Sequence, residues 1–75
     1  MLPILYSMKK EHVSNKLTEI RKEQNITQQG LANAVNVSRQ TIISIEKGNY
    51  TPSVLLALKI VKTLSAKVED VFSIK

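Results

Sequence analysis

Apolar residues recur at helical rather than alternating spacing along most of this chain, and a hydroxyl-bearing residue stands ahead of each recurrence. Ser14 precedes a segment with Leu17, Ile20 and Arg21 on one face, which ends near Asn25. Thr27 caps a second helix carrying Leu31, Ala32 and Val35. Ser38 caps a third, with Ile42 and Ile45 turned inward, and Gly48 suits the left-handed residue that follows a helix end. Thr51 and Pro52 read as a cap followed by proline at the first helical position, opening a fourth helix that runs to about Leu64. Its apolar residues Val54, Leu56, Ala57, Leu58, Ile60, Val61 and Leu64 cover more than half its circumference, as expected of a central helix, with Lys59 and Lys62 on the wet side. A last short turn over residues 68–72 closes the core through Val68, Val71 and Phe72. The pattern predicts an all-α fold of five helices and no sheet.

Length narrows the field further. A chain of 75 residues builds one small domain that buries roughly 60% of its unfolded surface, too little for a large catalytic cleft. Cysteine is absent, and there is one histidine, His12, and one aspartate, Asp70. Disulfides, thiolate metal sites and catalytic triads are therefore disfavoured, and neither a cofactor nor an enzymatic activity is implied. His12 has no companion ligand and reads as a solvated residue. The longest apolar run, residues 54–58, is far short of the roughly 20 residues that span a membrane. Residues 1–6 are apolar, but Lys9 and Lys10 follow them instead of preceding them, so no signal peptide is read there and the expected compartment is the cytoplasm, with the nucleoid.

Eleven Lys and Arg against six Asp and Glu give a net charge of +5, which favours an anionic partner. The segment from Thr27 to Lys47 says which one. Its two short helices are separated only by Asn36 and Val37, with the small Ala32 four residues earlier. Close helix crossing requires a small side chain, and a sharp turn requires a residue such as Asn that tolerates positive φ. This is the spacing of a helix-turn-helix, whose second helix enters the major groove of DNA. With Ile42 and Ile45 inward, Arg39, Gln40, Ile43, Ser44 and Lys47 lie outward. Arg pairs two donors with guanine, Gln pairs donor and acceptor with adenine, and an exposed Ile43 can touch a thymine methyl. No acid occurs between Glu23 and Glu46, as a surface approaching phosphates requires.

The order Lys16-Leu17-Thr18-Glu19-Ile20-Arg21, Ile26-Thr27-Gln28, Leu31-Ala32, Val37-Ser38-Arg39-Gln40-Thr41-Ile42, Ile45-Glu46-Lys47-Gly48, Pro52-Ser53, residues 56–60 and residues 68–72 resembles the Cro/repressor-type, or Xre-type, helix-turn-helix family. The likeness is to its small stand-alone bacterial regulators. It implies a compact five-helix bundle of the lambda-repressor-like type, with helices 2 and 3 forming the motif. It also implies roles. Gln28 looks like a phosphate ligand that braces the recognition helix, and Arg39, Gln40, Ile43 and Ser44 look like base readers. Thr27, Ser38, Thr41, Lys47, Asn49 and Tyr50 look like backbone clamps, and Arg21 with Glu46 looks like a buried or half-buried structural ion pair.

Four positions depart from the family pattern. Gly30 stands where Glu is usual, so a reciprocal capping box with Thr27 is missing and the helix loses about 1 kcal/mol relative to Ala. Ser65 and Lys67 replace the usual Gly and capping Ser before the last helix. Leu55 replaces a polar residue beside Lys59 and Lys62, either as a stray surface leucine or as a subunit contact, while Lys59, Lys62 and Lys67 read as solvated surface.

The resulting organisation is an N-terminal extension, residues 1–13, and a DNA-binding domain, residues 14–75. In the extension, Leu2, Ile4, Leu5 and Tyr6 form either a flexible arm or a strand added across a dimer dyad, and Met8 is an alternative start. The function expected is a sequence-specific regulator of transcription, a repressor that binds a short palindromic operator as a homodimer. The alternative is an antitoxin or accessory subunit that uses the same fold and masks a protein partner such as a toxin.

Overall fold

The computed structural model describes residues 11–75. Strand β1 (Val13–Asn15) leads into α1 (Leu17–Glu23), α2 (Gln28–Val35), α3 (Arg39–Glu46), α4 (Val54–Thr63) and α5 (Val68–Val71), and strand β2 (Phe72–Ile74) follows. The five helices agree with the hydrophobic pattern. The absence of a sheet does not: β1 and β2 pair antiparallel, Val13 opposite Ile74, Ser14 opposite Ser73 and Asn15 opposite Phe72. Backbone bonds carry the ladder one step further, from His12 N to Lys75 O (3.2 Å) and from Lys75 N to His12 O (2.9 Å). The sheet thus takes in His12 and Val13, on the far side of the expected boundary between extension and domain. Leu2, Ile4, Leu5 and Tyr6 lie outside the described residues.

Pairing also reassigns Ser14. Its hydroxyl meets that of Ser73 at 3.0 Å instead of capping α1. Asn15 takes over at the helix start, its Oδ1 accepting from the Leu17 N–H (3.1 Å) while its Nδ2 donates to the Ile45 carbonyl (2.9 Å). One short side chain therefore joins the strand, α1 and the end of α3. Thr27 and Ser38 cap as predicted, accepting from the N–H groups of Gly30 (2.8 Å) and Thr41 (3.2 Å). A Cβ added at Gly30 would lie 3.0 Å from Thr27 Oγ1, so glycine leaves room around the capping hydroxyl even as it weakens the helix. The cap of α4 is Ser53, which accepts from the Leu56 N–H at 3.1 Å. Thr51 and Pro52 precede it, because the Ser53 hydroxyl sits at the correct offset for the third helical N–H.

The core comprises Leu17, Leu31, Ala32, Val35, Ile42, Ile45, Leu56, Ile60, Val61, Leu64 and Val71. Ile20, Ile26, Val37, Ala66 and Phe72 pack against it half-buried. Two expectations fail here. Helix α4 packs on α2 and α5 and gives the core Leu56, Ile60 and Val61, with Leu64 at its end, but its apolar circumference is not covered all round. Val54 (77% exposed), Leu55 (64%) and Leu58 (51%) form an apolar strip on the outer side. Val68 is likewise exposed, leaving Val71 as the buried residue of α5. Apolar residues over more than half a circumference do not reveal how much of it has a neighbour.

Helices α1 to α4 all end in one way. A residue with positive φ follows each: Asn25 (59°), Asn36 (61°), Gly48 (79°) and Ser65 (54°). The next N–H then reaches back five residues, from Ile26 to Arg21, Val37 to Ala32, Asn49 to Ser44 and Ala66 to Val61, at 2.9 to 3.1 Å. These are Schellman closures, and Ile26, Val37 and Ala66 bring the accompanying apolar contact. Ser65 is the poorest of the four residues for this conformation, since it has neither the freedom of glycine nor the tolerance of asparagine. Ser65→Gly is expected to stabilise the fold by about 0.5–1 kcal/mol, seen as a rise of roughly 2–8 °C in thermal melting.

Candidate nucleic-acid interface

The face predicted to meet DNA is built by α2, α3 and the loop after α3. Ala32 is fully buried where α2 packs on α3, and the Asn36 turn aims α3 across α2. Burial of Ile42 and Ile45 fixes the roll of α3. Arg39 and Gln40 at its N-terminus are exposed, as is Lys47 immediately after it, while Thr41, Ile43 and Ser44 are half-buried. Ile43 is therefore not the exposed residue expected from the pattern: one step of about 100° from a core position places it on the flank of the helix.

Two concavities divide the expected residues. Ser38, Gln40, Thr41, Ser44, Asn49 and Tyr50 line the one beside α3. Thr27, Gln28 and Arg39 line the other, together with Thr18, Arg21, Lys22, Gln29 and Glu46. Ile43 and Lys47 line neither. Sequence reasoning passes over Thr18, Lys22 and Gln29. The four-residue spacing of Thr18 and Lys22 marks one face of α1, but nothing local says that this face meets the start of α2. Thr27 Oγ1 accepts the capping bond with a lone pair, so its O–H remains a donor for an anion.

Behind these residues lies the ion pair. Arg21 Nε donates to Glu46 Oε2 (2.7 Å) and Nη2 to Oε1 (3.3 Å), while Nη1 donates to the Ile26 carbonyl (2.9 Å). The two side chains are 8% and 6% exposed. Gln28 Nε2 donates to Glu46 Oε1 (3.0 Å), and Arg39 Nη2 donates to Gln28 Oε1 (3.2 Å). Burial alone would raise the pKa of the Glu46 carboxyl. Hydrogen bonds from Arg21, Gln28 and Thr18 and the Arg21 charge outweigh it and hold the group below the usual carboxylate range. The one acid of the recognition helix is thus turned inward and its charge is paired.

Two capped helices joined by a left-handed asparagine, with a polar second helix, define a helix-turn-helix domain. The chain belongs to the helix-turn-helix family HTH_3, which matches residues 17–71, from the first residue of α1 to the last of α5. An uncharacterized HTH-type transcriptional regulator of Methanocaldococcus jannaschii is 53% identical over 60 residues, covering 80% of this chain and 91% of that protein. The regulator YgzD of Bacillus subtilis, described in the same words, is 52% identical with the same coverage. Among solved structures, the clp gene regulator ClgR of Corynebacterium glutamicum is similar with a TM-score of 0.69 and 30% identity. That match covers 72% of this chain and 57% of ClgR, so the chain spans a little over half of that regulator. The fold is that of DNA-binding transcriptional regulators of the Xre type. Among the described residues no helix is long and apolar enough to cross a membrane.

Proposed function

We propose that the protein is a sequence-specific regulator that binds a short palindromic DNA operator as a homodimer and represses by occupying it. The observation that carries this reading is the composition of the α3 face. Its exposed residues are donors and acceptors suited to base edges and phosphates, and its single acid, Glu46, is paired inside with Arg21. In this reading Arg39, Gln40, Ile43 and Ser44 meet bases. Gln28, Thr27, Ser38, Thr41, Lys47, Asn49 and Tyr50 meet the backbone, where hydroxyls, amides and a lysine suffice. One such module buries too little surface for tight specific binding, and two recognition helices about 34 Å apart supply the rest. The exposed strip of Val54, Leu55 and Leu58 favours a subunit contact.

Selection of duplexes from genomic fragments, followed by competition of the selected site against a shuffled copy at physiological salt, tests the function. A preference of roughly 10³-fold or more is expected. Binding that ignores sequence and vanishes with salt would leave the basic charge as a purely electrostatic feature and refute the proposal. The division of labour has its own test. Arg39→Ala is expected to cost about 1–3 kcal/mol and relax preference at one base position. Lys47→Ala is expected to weaken all sequences alike and reduce the salt slope by about one, as titrations at several salt concentrations would show.

A further inference from the structure

The ion pair joining α1 to the end of α3 does not stop at Glu46. Its carboxylate continues through Gln28 to the first residue of the recognition helix. The four side chains, Arg21, Glu46, Gln28 and Arg39, form one chain of hydrogen bonds of 2.7, 3.0 and 3.2 Å. Chemistry fixes its direction. An ionised carboxylate only accepts, so the Gln28 amide must turn its NH2 toward Glu46. The carbonyl oxygen then lies on the opposite side of the planar amide, where the guanidinium of Arg39, which only donates, finds an acceptor. Flipping the amide would set oxygen against carboxylate and NH2 against guanidinium, so both contacts fail together.

We propose that Glu46 is a positioning residue for base recognition: by orienting the Gln28 amide it holds the Arg39 guanidinium in place over the DNA face. Arg39 is exposed at the start of α3 and carries a long side chain with many rotamers. A fixed acceptor for its Nη2 removes part of that freedom before DNA arrives, and a guanidinium arranged in advance loses less entropy on bidentate pairing with a base. The Glu46 side chain is 6% exposed and needs no contact with DNA to act in this way. The inference rests on the reading of Arg39 as a base reader.

Glu46→Gln is the test. Its amide has one oxygen for the Arg21 donors and presents an NH2 to Gln28, which must then flip and turn its own NH2 toward Arg39. The measured quantity is the ratio of affinities for the selected operator and for the operator altered at the base pair where Arg39→Ala relaxes preference. In the unaltered protein this ratio is expected to be roughly 5- to 150-fold. In Glu46→Gln it is expected to fall to within about twofold of the Arg39→Ala value, while ratios at pairs read by other residues hold.

The second substitution Gln28→Glu supplies an acceptor both for the amide introduced at position 46 and for Arg39, so the double variant is expected to recover the ratio even where overall affinity drops. A ratio unchanged in Glu46→Gln, or an equal loss at every base pair, would overturn the proposal. If Glu46→Gln fails to fold by circular dichroism, Gln28→Leu decides: it leaves the Arg21/Glu46 pair whole, and the same loss confined to one pair is expected. An unaltered protein that shows no sequence preference at all would refute the proposed function instead, a separate outcome.

Discussion

Arg21→Met is expected to destabilise the domain by about 3–5 kcal/mol, far more than the pair contributes as a net attraction. The methionine covers much of the arginine stem, so lost packing is a minor part of the effect. What remains is the Glu46 carboxylate, its side chain nearly sealed from solvent and left with the neutral donors Gln28 and Thr18 in place of a charged partner. The Ile26 carbonyl, in the turn that follows α1, loses its Arg21 donor as well. Replacing both partners, Arg21→Met with Glu46→Met, is expected to recover most of the loss, because no buried charge is then uncompensated. Recovery stays incomplete because the Ile26 carbonyl has no side-chain donor in either variant. Denaturant titration of the two single variants and the double variant measures the coupling directly.

The pH dependence of the same variant has a definite sign. In the unaltered protein Glu46 has a folded pKa below its unfolded value, so between the two the unfolded chain binds more protons. Its contribution is complete above the ordinary carboxylate value and is lost as pH falls through the lowered one. Without Arg21 the raising effect of burial faces fewer opposing bonds, so the folded pKa of Glu46 rises from its lowered position. Arg21→Met should then gain less stability than the unaltered protein as pH rises through the carboxylate range. The gap between the two proteins therefore widens from acid to neutral pH, and a constant gap would show that the carboxylate is not the origin of the loss.

Signals in the chain are legible wherever the physics is local. Thr27 and Ser38 cap because a hydroxyl must lie three residues ahead of an N–H, and Asn36 and Gly48 close helices because few residues adopt positive φ. The core residues of α2 and α3 follow from periodicity alone. Long-range relations are hidden. Strands β1 and β2 have three residues each, too few for alternation to register, and their partners lie at opposite ends of the domain. Asn15 and Gln24 read as ordinary polar residues, yet they donate to the Ile45 and Leu64 carbonyls and so tie α1 to α3 and α4. The 25-residue separation of Arg21 and Glu46 carries no periodicity that would pair them, and the family resemblance rather than the pattern points to that contact. Gln28 reads as a phosphate ligand and brace, and its bond to Glu46 has no signal in the sequence at all.

Adjacent isoleucines on the recognition helix separate folding from binding most sharply. Ile42 is fully sealed in the core, and Ile42→Ala is expected to remove about 2–5 kcal/mol through lost transfer energy and the cavity left behind. A domain of 75 residues has a total stability of only about 4–11 kcal/mol, so melting should drop by roughly 10 °C or more. Ile43 is half-buried on the helix flank, and Ile43→Ala is expected to cost about 1 kcal/mol, with a correspondingly small shift. The order reverses for DNA. At a temperature where both variants are folded, Ile42→Ala should retain the base preferences of the unaltered protein, because the faces of α3 that carry Arg39 and Gln40 are unchanged. Ile43→Ala should lose discrimination where a thymine methyl is met. Thermal melting and operator competition on the same two proteins measure both orders, and equal losses of preference in the two would mean that α3 is rolled differently about its axis.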